Sequence, residues 1–170
     1  MRKPSRRCFL AGAVLGSAAC RQDAGARLAL SGEEARTLEA ICDRLIPGDR
    51  DPGAVWAGAV EFIDRQLGGP YRRYRRAYGE GLARAEALSR KMFGKPMDEL
   101  TDDDRLAVVQ RIEQDARPFF EMVLAHTMQG FYGSPRHGGN RDYASWAMLR
   151  VPASPVRGRI HYDLRQGKES

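Results

Sequence analysis

No stretch of this 170-residue chain approaches the roughly 20 consecutive apolar residues that cross a bilayer as a helix. Its weakly apolar run from Phe9 to Ala19 is broken by Gly12 and Gly16, so a retained transmembrane anchor is not expected. Cysteine and histidine number three each. There is no C-x-x-C and no C-x-x-C-H, and His126, His137 and His161 form no i, i+4 pair, so neither a metal site nor covalent haem is expected in this chain. No strand followed by G-x-G-x-x-G and no P-loop is present, which removes the usual dinucleotide and nucleotide cradles. Asp102, Asp103 and Asp104 form a carboxylate cluster, and a helix start accounts for it, because acids in a first turn complement the helix dipole. No cofactor site and no catalytic constellation is therefore expected. An enzyme built on His126 or His137 would lack any recognisable partner group.

What is present begins with an address. Arg2, Lys3, Arg6 and Arg7 precede the apolar run, and Ser17, Ala18 and Ala19 follow it, the three-part plan of a signal peptide over residues 1–19. Ser5 to Leu10 has the twin-arginine form S-R-R-x-F-L, in which Arg6, Arg7, Phe9 and Leu10 are the residues read by the route that exports folded proteins. Periplasmic localisation follows as an expectation. Cys20 ends a lipoprotein-like box in which Ser17 stands where Leu, Val or Ile is usual. Two fates are open to it: acylation at the membrane, or release as the first mature residue, free to form a disulfide with Cys42 or another subunit. Of 28 Lys and Arg, four leave with the leader, so 28 less four gives 24 against 22 Asp and Glu. The strong basicity thus belongs to the leader, and a nucleic-acid partner is not expected.

The mature chain is one domain's worth, with helical periodicity and almost no strand signal. After a loose linker over residues 20–30, Ser31-Gly-Glu-Glu34 has capping-box spacing, and Leu38, Ile41, Leu45 and Ile46 recur until Pro47 ends a first helix. A second is expected over residues 54–67, with Val55, Phe62, Ile63 and Leu67 inward, and a third over residues 71–93. Thr101 caps a fourth carrying Leu106, Val109 and Ile112. Pro118 opens a fifth through Phe119, Phe120, Val123, Leu124, Met128 and Phe131. The expected fold is all-α: a compact bundle of about five helices over residues 31–150, with a Gly/Pro-rich C-terminal loop region, a helical turn near residues 143–149 and a tail over residues 151–170.

Two segments hold residues suited to binding. In Tyr71-Arg-Arg-Tyr-Arg-Arg-Ala-Tyr78, aromatics interleave with arginines as in a single-strand nucleic-acid groove. Yet Tyr71, Tyr74 and Tyr78 step by three and four, and Leu82, Ala85, Leu88 and Met92 continue the stripe, which is the pattern of a buried face with a wet arginine side. The second segment, residues 131–146, places Gly133, Pro135, Gly138 and Gly139 among Phe131, Tyr132, Tyr143 and Trp146. Aromatics on a tight turn-rich loop suit an interface, or else fold back on the helices.

These residues carry a resemblance. Leu45-Ile46-Pro47 with Pro52-Gly53-Ala54, the helix from Val60 to Asp64, Phe119-Phe120, Thr127, Gly130-Phe131-Tyr132-Gly133, Pro135, Gly138-Gly139-Asn140 and Trp146 are similar to the gluconate 2-dehydrogenase subunit 3 family. That family supplies the small subunit of periplasm-facing, membrane-associated flavin dehydrogenases of sugars, polyols and sugar acids. Ser134 stands where the family usually has an acid, and Arg150 where a glycine often follows the tryptophan. The resemblance implies a non-catalytic accessory subunit, with FAD in a large partner of the glucose-methanol-choline type and haem c in a multihaem cytochrome subunit. It also implies that the flavoprotein, folded around its flavin, is carried through the twin-arginine translocase on this chain's leader. Phe131, Tyr132, Pro135, Gly138, Gly139, Asn140 and Trp146 are then the candidate partner-binding residues. The alternative is a free-standing periplasmic lipoprotein with a structural or interaction role. Membrane association is expected only through the complex or a lipid on Cys20.

Overall fold

Ser31 closes the start of the first helix in the manner its spacing predicts. The Glu34 amide donates to Ser31 Oγ at 3.2 Å and the Ser31 amide donates to Glu34 Oε2 at 2.7 Å, so two otherwise orphaned donors are satisfied reciprocally. The structure, a computed structural model, describes residues 27–151. Arg6, Arg7, Phe9, Leu10, Cys20 and the tail from 152 onward lie outside the described residues. Among the described residues there are six α-helices and no strand: α1 (Gly32–Leu45), α2 (Ala59–Leu67), α3 (Arg75–Phe93), α4 (Asp102–Asp115), α5 (Arg117–Tyr132) and α6 (Ala144–Met148). No described helix is long and apolar enough to cross a membrane.

The core lies where α1, α2, α3 and α5 meet, filled by Leu38, Ile63, Leu67, Tyr78, Leu82, Val123 and Phe131, with α4 adding Val108 and Ile112. Two glycines set the closest crossings. At Gly81 an added Cβ would overlap the Phe119 ring, so the bare backbone of α3 is what seats that ring of α5. At Gly130 a Cβ would stand 3.0 Å from the Ala59 Cα, and its absence lets α5 and α2 pack backbone to backbone.

Several expectations shift. The second helix starts at Ala59, not 54, because Gly58 is left-handed (φ 80°) and interrupts the helical path, leaving residues 54–58 as turns. A 3-10 turn at Arg72–Tyr74 precedes α3, which begins at Arg75. The linker is not loose at its end. Asp64 on α2 is buried, and its carboxylate accepts from the amides of Leu28 (2.7 Å), Ala29 (2.9 Å) and Leu30 (2.7 Å), while Leu30 itself enters the core.

Three expected inward residues face out. Leu106 lies about 120° of helical arc from Ile112, at 100° per residue, so Val108 takes the inward place. Met92 is exposed because the chain reverses after Gly94. The buried Ser89 hydroxyl donates to the Lys95 carbonyl at 2.7 Å, and Met97 fills the core beneath. Met128 is exposed, and its neighbours His126 and Thr127 point inward instead.

Candidate partner-binding surface

The loop after α5 is built by doubling back along that helix. Gly133 ends α5 in an extended conformation, a 3-10 turn at Pro135–His137 reverses the chain, and Gly138 takes a left-handed φ of 99°. Gly139 then passes so close to α5 that a Cβ would overlap the Gly130 carbonyl, to which the Asn140 amide donates at 2.8 Å. The Arg141 amide donates to the Ala57 carbonyl at 2.9 Å, tying the loop to the turn ahead of α2.

Asn140 is the centre of this arrangement. It is fully buried and left-handed (φ 46°), a region that Asn tolerates better than other side-chain-bearing residues. Its Nδ2 donates to the Gly133 carbonyl at 2.9 Å, and its Oδ1 accepts from the Ser145 amide at 3.0 Å. One side chain thereby joins the end of α5 to the start of α6. Trp146 makes a second joint, its indole N–H donating to the Tyr132 carbonyl at 2.9 Å.

The candidates from sequence fall into two groups. Phe131, Gly139 and Asn140 are buried and build the loop; Gly138 packs on the Arg65 guanidinium; Pro135 and Trp146 are half-buried. Tyr132 is the large apolar one among them that reaches solvent, 39 % exposed. Tyr143, seen in the sequence only as a flank, is 41 % exposed with its ring 5.5 Å from that of Trp146, and Leu149 and Val151 are open beyond it. Tyr143 stands just ahead of α6 with a left-handed φ of 58°, and the signal that could have found it is its place as an aromatic in the turn that leads into Trp146.

Arg150 has a left-handed φ of 54°. Its amide donates to the Ala147 carbonyl at 3.0 Å, and the Val151 amide donates to the Trp146 carbonyl at 2.8 Å, the bond pair of a Schellman ending with Arg150 at the position glycine favours. The departure noted in the sequence therefore falls where a side chain carries a conformational cost.

Elsewhere, the tyrosine ladder is a core face. Tyr78 is fully buried, its hydroxyl 3.0 Å from His126 Nδ1, and the Tyr71 ring stacks on His126 at 4.5 Å. Burial pushes the His126 pKa below its ordinary value and pushes the Tyr78 phenol up. Arg72, Arg73 and Arg76 point to solvent, with Arg73 over the Tyr74 ring at 4.7 Å. The Cys42 thiol is fully buried, 3.3 Å from Thr127 Oγ1, and burial pushes its pKa to about 12. A thiolate is the species that exchanges into disulfides, so Cys42 is inert while the core is closed. His137 is exposed in the turn after α5, and His161 lies outside the described residues. Asp104 helps close the start of α4, accepting from the Thr101 hydroxyl at 2.8 Å, while Asp102 pairs with Arg44 at 3.4 Å.

Comparison with curated proteins and with solved structures returned no match. A family model described as gluconate 2-dehydrogenase subunit 3 matches residues 32–152, most of the chain and nearly all of the described domain. Its match takes in α1 to α6 together with the Asn140 loop. The chain belongs to the gluconate 2-dehydrogenase subunit 3 family, and with it to the accessory subunits of a dehydrogenase complex.

Proposed function

We propose that this chain binds a folded FAD-dependent dehydrogenase of the glucose-methanol-choline type, stabilises it, and escorts it through the twin-arginine route to the periplasmic side, without contributing a catalytic group. In this reading the flavin belongs to the large subunit and haem c to a cytochrome subunit that takes the electrons onward. Family membership supports a place in the complex. The S-R-R-x-F-L leader supports the route, because a flavin inserted in the cytoplasm requires its protein to cross folded.

The observation that carries the docking side is the exposed rim of Tyr132, Tyr143, Leu149 and Val151, mounted on a loop whose backbone is already fixed by Asn140, Gly139 and Trp146. Large apolar side chains held out on a stiff loop bind with little further ordering, so more of their contact energy appears as affinity. Trp146 is a brace as well as a contact. Trp146→Ala would remove its bond to Tyr132 and lower stability, so Tyr132 and Tyr143 are the cleaner anchors.

The test is co-purification with a co-expressed FAD-dependent large subunit of that type. Tyr132→Ser combined with Tyr143→Ser is expected to weaken capture roughly tenfold or more, with helical circular dichroism and Tm unchanged. Undiminished capture by the double variant would remove the rim as the docking surface. Export is tested separately by Arg6→Lys with Arg7→Lys, which is expected to hold both chains in the cytoplasm. Periplasmic dehydrogenase activity surviving that change would end the escort reading.

A further inference from the structure

On the face formed by α1 and α3 lie two adjoining hollows, each of about 390 Å³, that share Glu33, Thr37, Glu86 and Arg90. Their two halves differ in character. The half toward α3 has an apolar floor of Leu82, Ala83 and Ala87 beside Gly79. The half toward the 3-10 turn at Met97–Glu99 is polar, with Asp98 and Glu99 across from Arg36.

Across both halves the lining holds five carboxylates, those of Glu33, Glu34, Glu86, Asp98 and Glu99, against two guanidinium groups, those of Arg36 and Arg90. Arg36 pairs with Asp98 at 3.2 Å, Arg90 with Glu86 at 2.8 Å, and Arg75 from outside the groove with Glu34 at 3.2 Å. Glu33 and Glu99 have no ion pair among the described residues, and both are exposed at the mouth. An acidic groove half apolar and half polar fits a segment that is itself half basic and half apolar.

The chain carries one such segment. Its leader holds Arg2, Lys3, Arg6 and Arg7 with no acid, followed directly by Phe9, Leu10, Val14 and Leu15. The C-terminal tail matches less well: Arg157, Arg159, Arg165 and Lys168 are interspersed with Asp163 and Glu169, and no apolar run follows. Reach is sufficient. Sixteen residues separate Leu10 from Arg27, and a chain of that length can span at most about 55 Å. Glu33 lies only two residues beyond the Ser31 cap, and an attached ligand is presented at roughly millimolar effective concentration.

We infer that the groove between α1 and α3 is the docking site of this chain's own leader, the basic residues at the Glu33–Glu99 mouth and the apolar run on Leu82, Ala83 and Ala87. This does not depend on the flavoprotein reading. Because α1 and α3 come together only in the folded domain, the groove exists only after folding, and docking couples the state of the leader to the state of the domain.

The full chain tests this directly, since Lys3 is the one lysine of the leader. Zero-length carbodiimide coupling followed by mass spectrometry is expected to join Lys3 to Glu33 or Glu99 within one molecule. The link should fall roughly tenfold in Ala83→Arg with Ala87→Arg, two exposed positions, and in Arg6→Gln with Arg7→Gln, which leaves the domain untouched. High salt should reduce it as well. Mixing heavy- and light-isotope chains separates links within a molecule from links between copies. Links spread over acids remote from the groove, such as Asp115 and Glu121, would overturn the assignment. So would links only between copies, links from Lys168 in place of Lys3, or yields indifferent to both double variants.

Discussion

Replacing Asn140 with alanine should unfasten the loop that carries the rim. The change strips the Gly133 carbonyl of its Nδ2 donor and the buried Ser145 amide of its Oδ1 acceptor. A buried amide left without a partner costs about 1–3 kcal/mol, the partly buried carbonyl nearer 1. Alanine also holds a left-handed φ less readily than asparagine, adding roughly 1 kcal/mol at the observed 46°. The sum is at least about 3 kcal/mol, or a fall in Tm on the order of 10 °C or more for a domain of this size. Asn140→Asp is the sharper companion: it keeps an acceptor for Ser145 but sets a carboxylate oxygen against the Gly133 carbonyl, so it should not rescue. Urea and thermal melts of both variants, with hydrogen exchange at the Ser145 amide, give the measurement. A Tm within about 2 °C of wild type for Asn140→Ala, with Ser145 still protected, would refute the reasoning, since about 3 kcal/mol cannot hide in so small a shift.

Two further perturbations report on other parts of the molecule. Burial holds His126 below its ordinary pKa of 6.5, so the unfolded state takes up its proton first. Its contribution is therefore complete above about pH 6.5 and is lost as pH falls through that value toward the folded one. His126→Gln should shrink the drop in Tm between about pH 7.5 and pH 5, and an equal or larger drop would contradict the assignment. Arg150→Gly should raise stability by up to about 1 kcal/mol, because the Schellman position is left-handed and only glycine occupies it without strain. A loss of stability in a chemical melt would count against it.

Much of the fold was legible because caps and apolar spacing are local signals. Ser31 with Glu34 and Thr101 with the acids after it could be read as helix starts from a few residues each, and they are. What misled was geometry that only tertiary contact decides. Gly58 reads as an ordinary interior glycine until its left-handed φ moves the start of α2 to Ala59. Leu106, Met92 and Met128 are apolar at nearly helical spacing, yet their neighbours Val108, Met97 and Thr127 meet the core instead. At the rim the sequence showed that a stiff aromatic loop exists. Which of its residues face outward was not legible. Asn140 resembles a surface turn residue in the sequence but is wholly buried, because its two bonds go to backbone groups brought together by the fold.

Asp64 gives the domain a mechanical property. Its carboxylate holds three successive amides, those of Leu28, Ala29 and Leu30, at the point where the chain enters the domain. A pull on residues ahead of Arg27 meets this clasp before it reaches the first turn of α1, and the tension passes sideways into α2. The clasp is thus a strain relief: the chain ahead of Arg27 can be tugged while the capping box at Ser31 stays unloaded, and the domain need not begin to unravel from its N-terminal end.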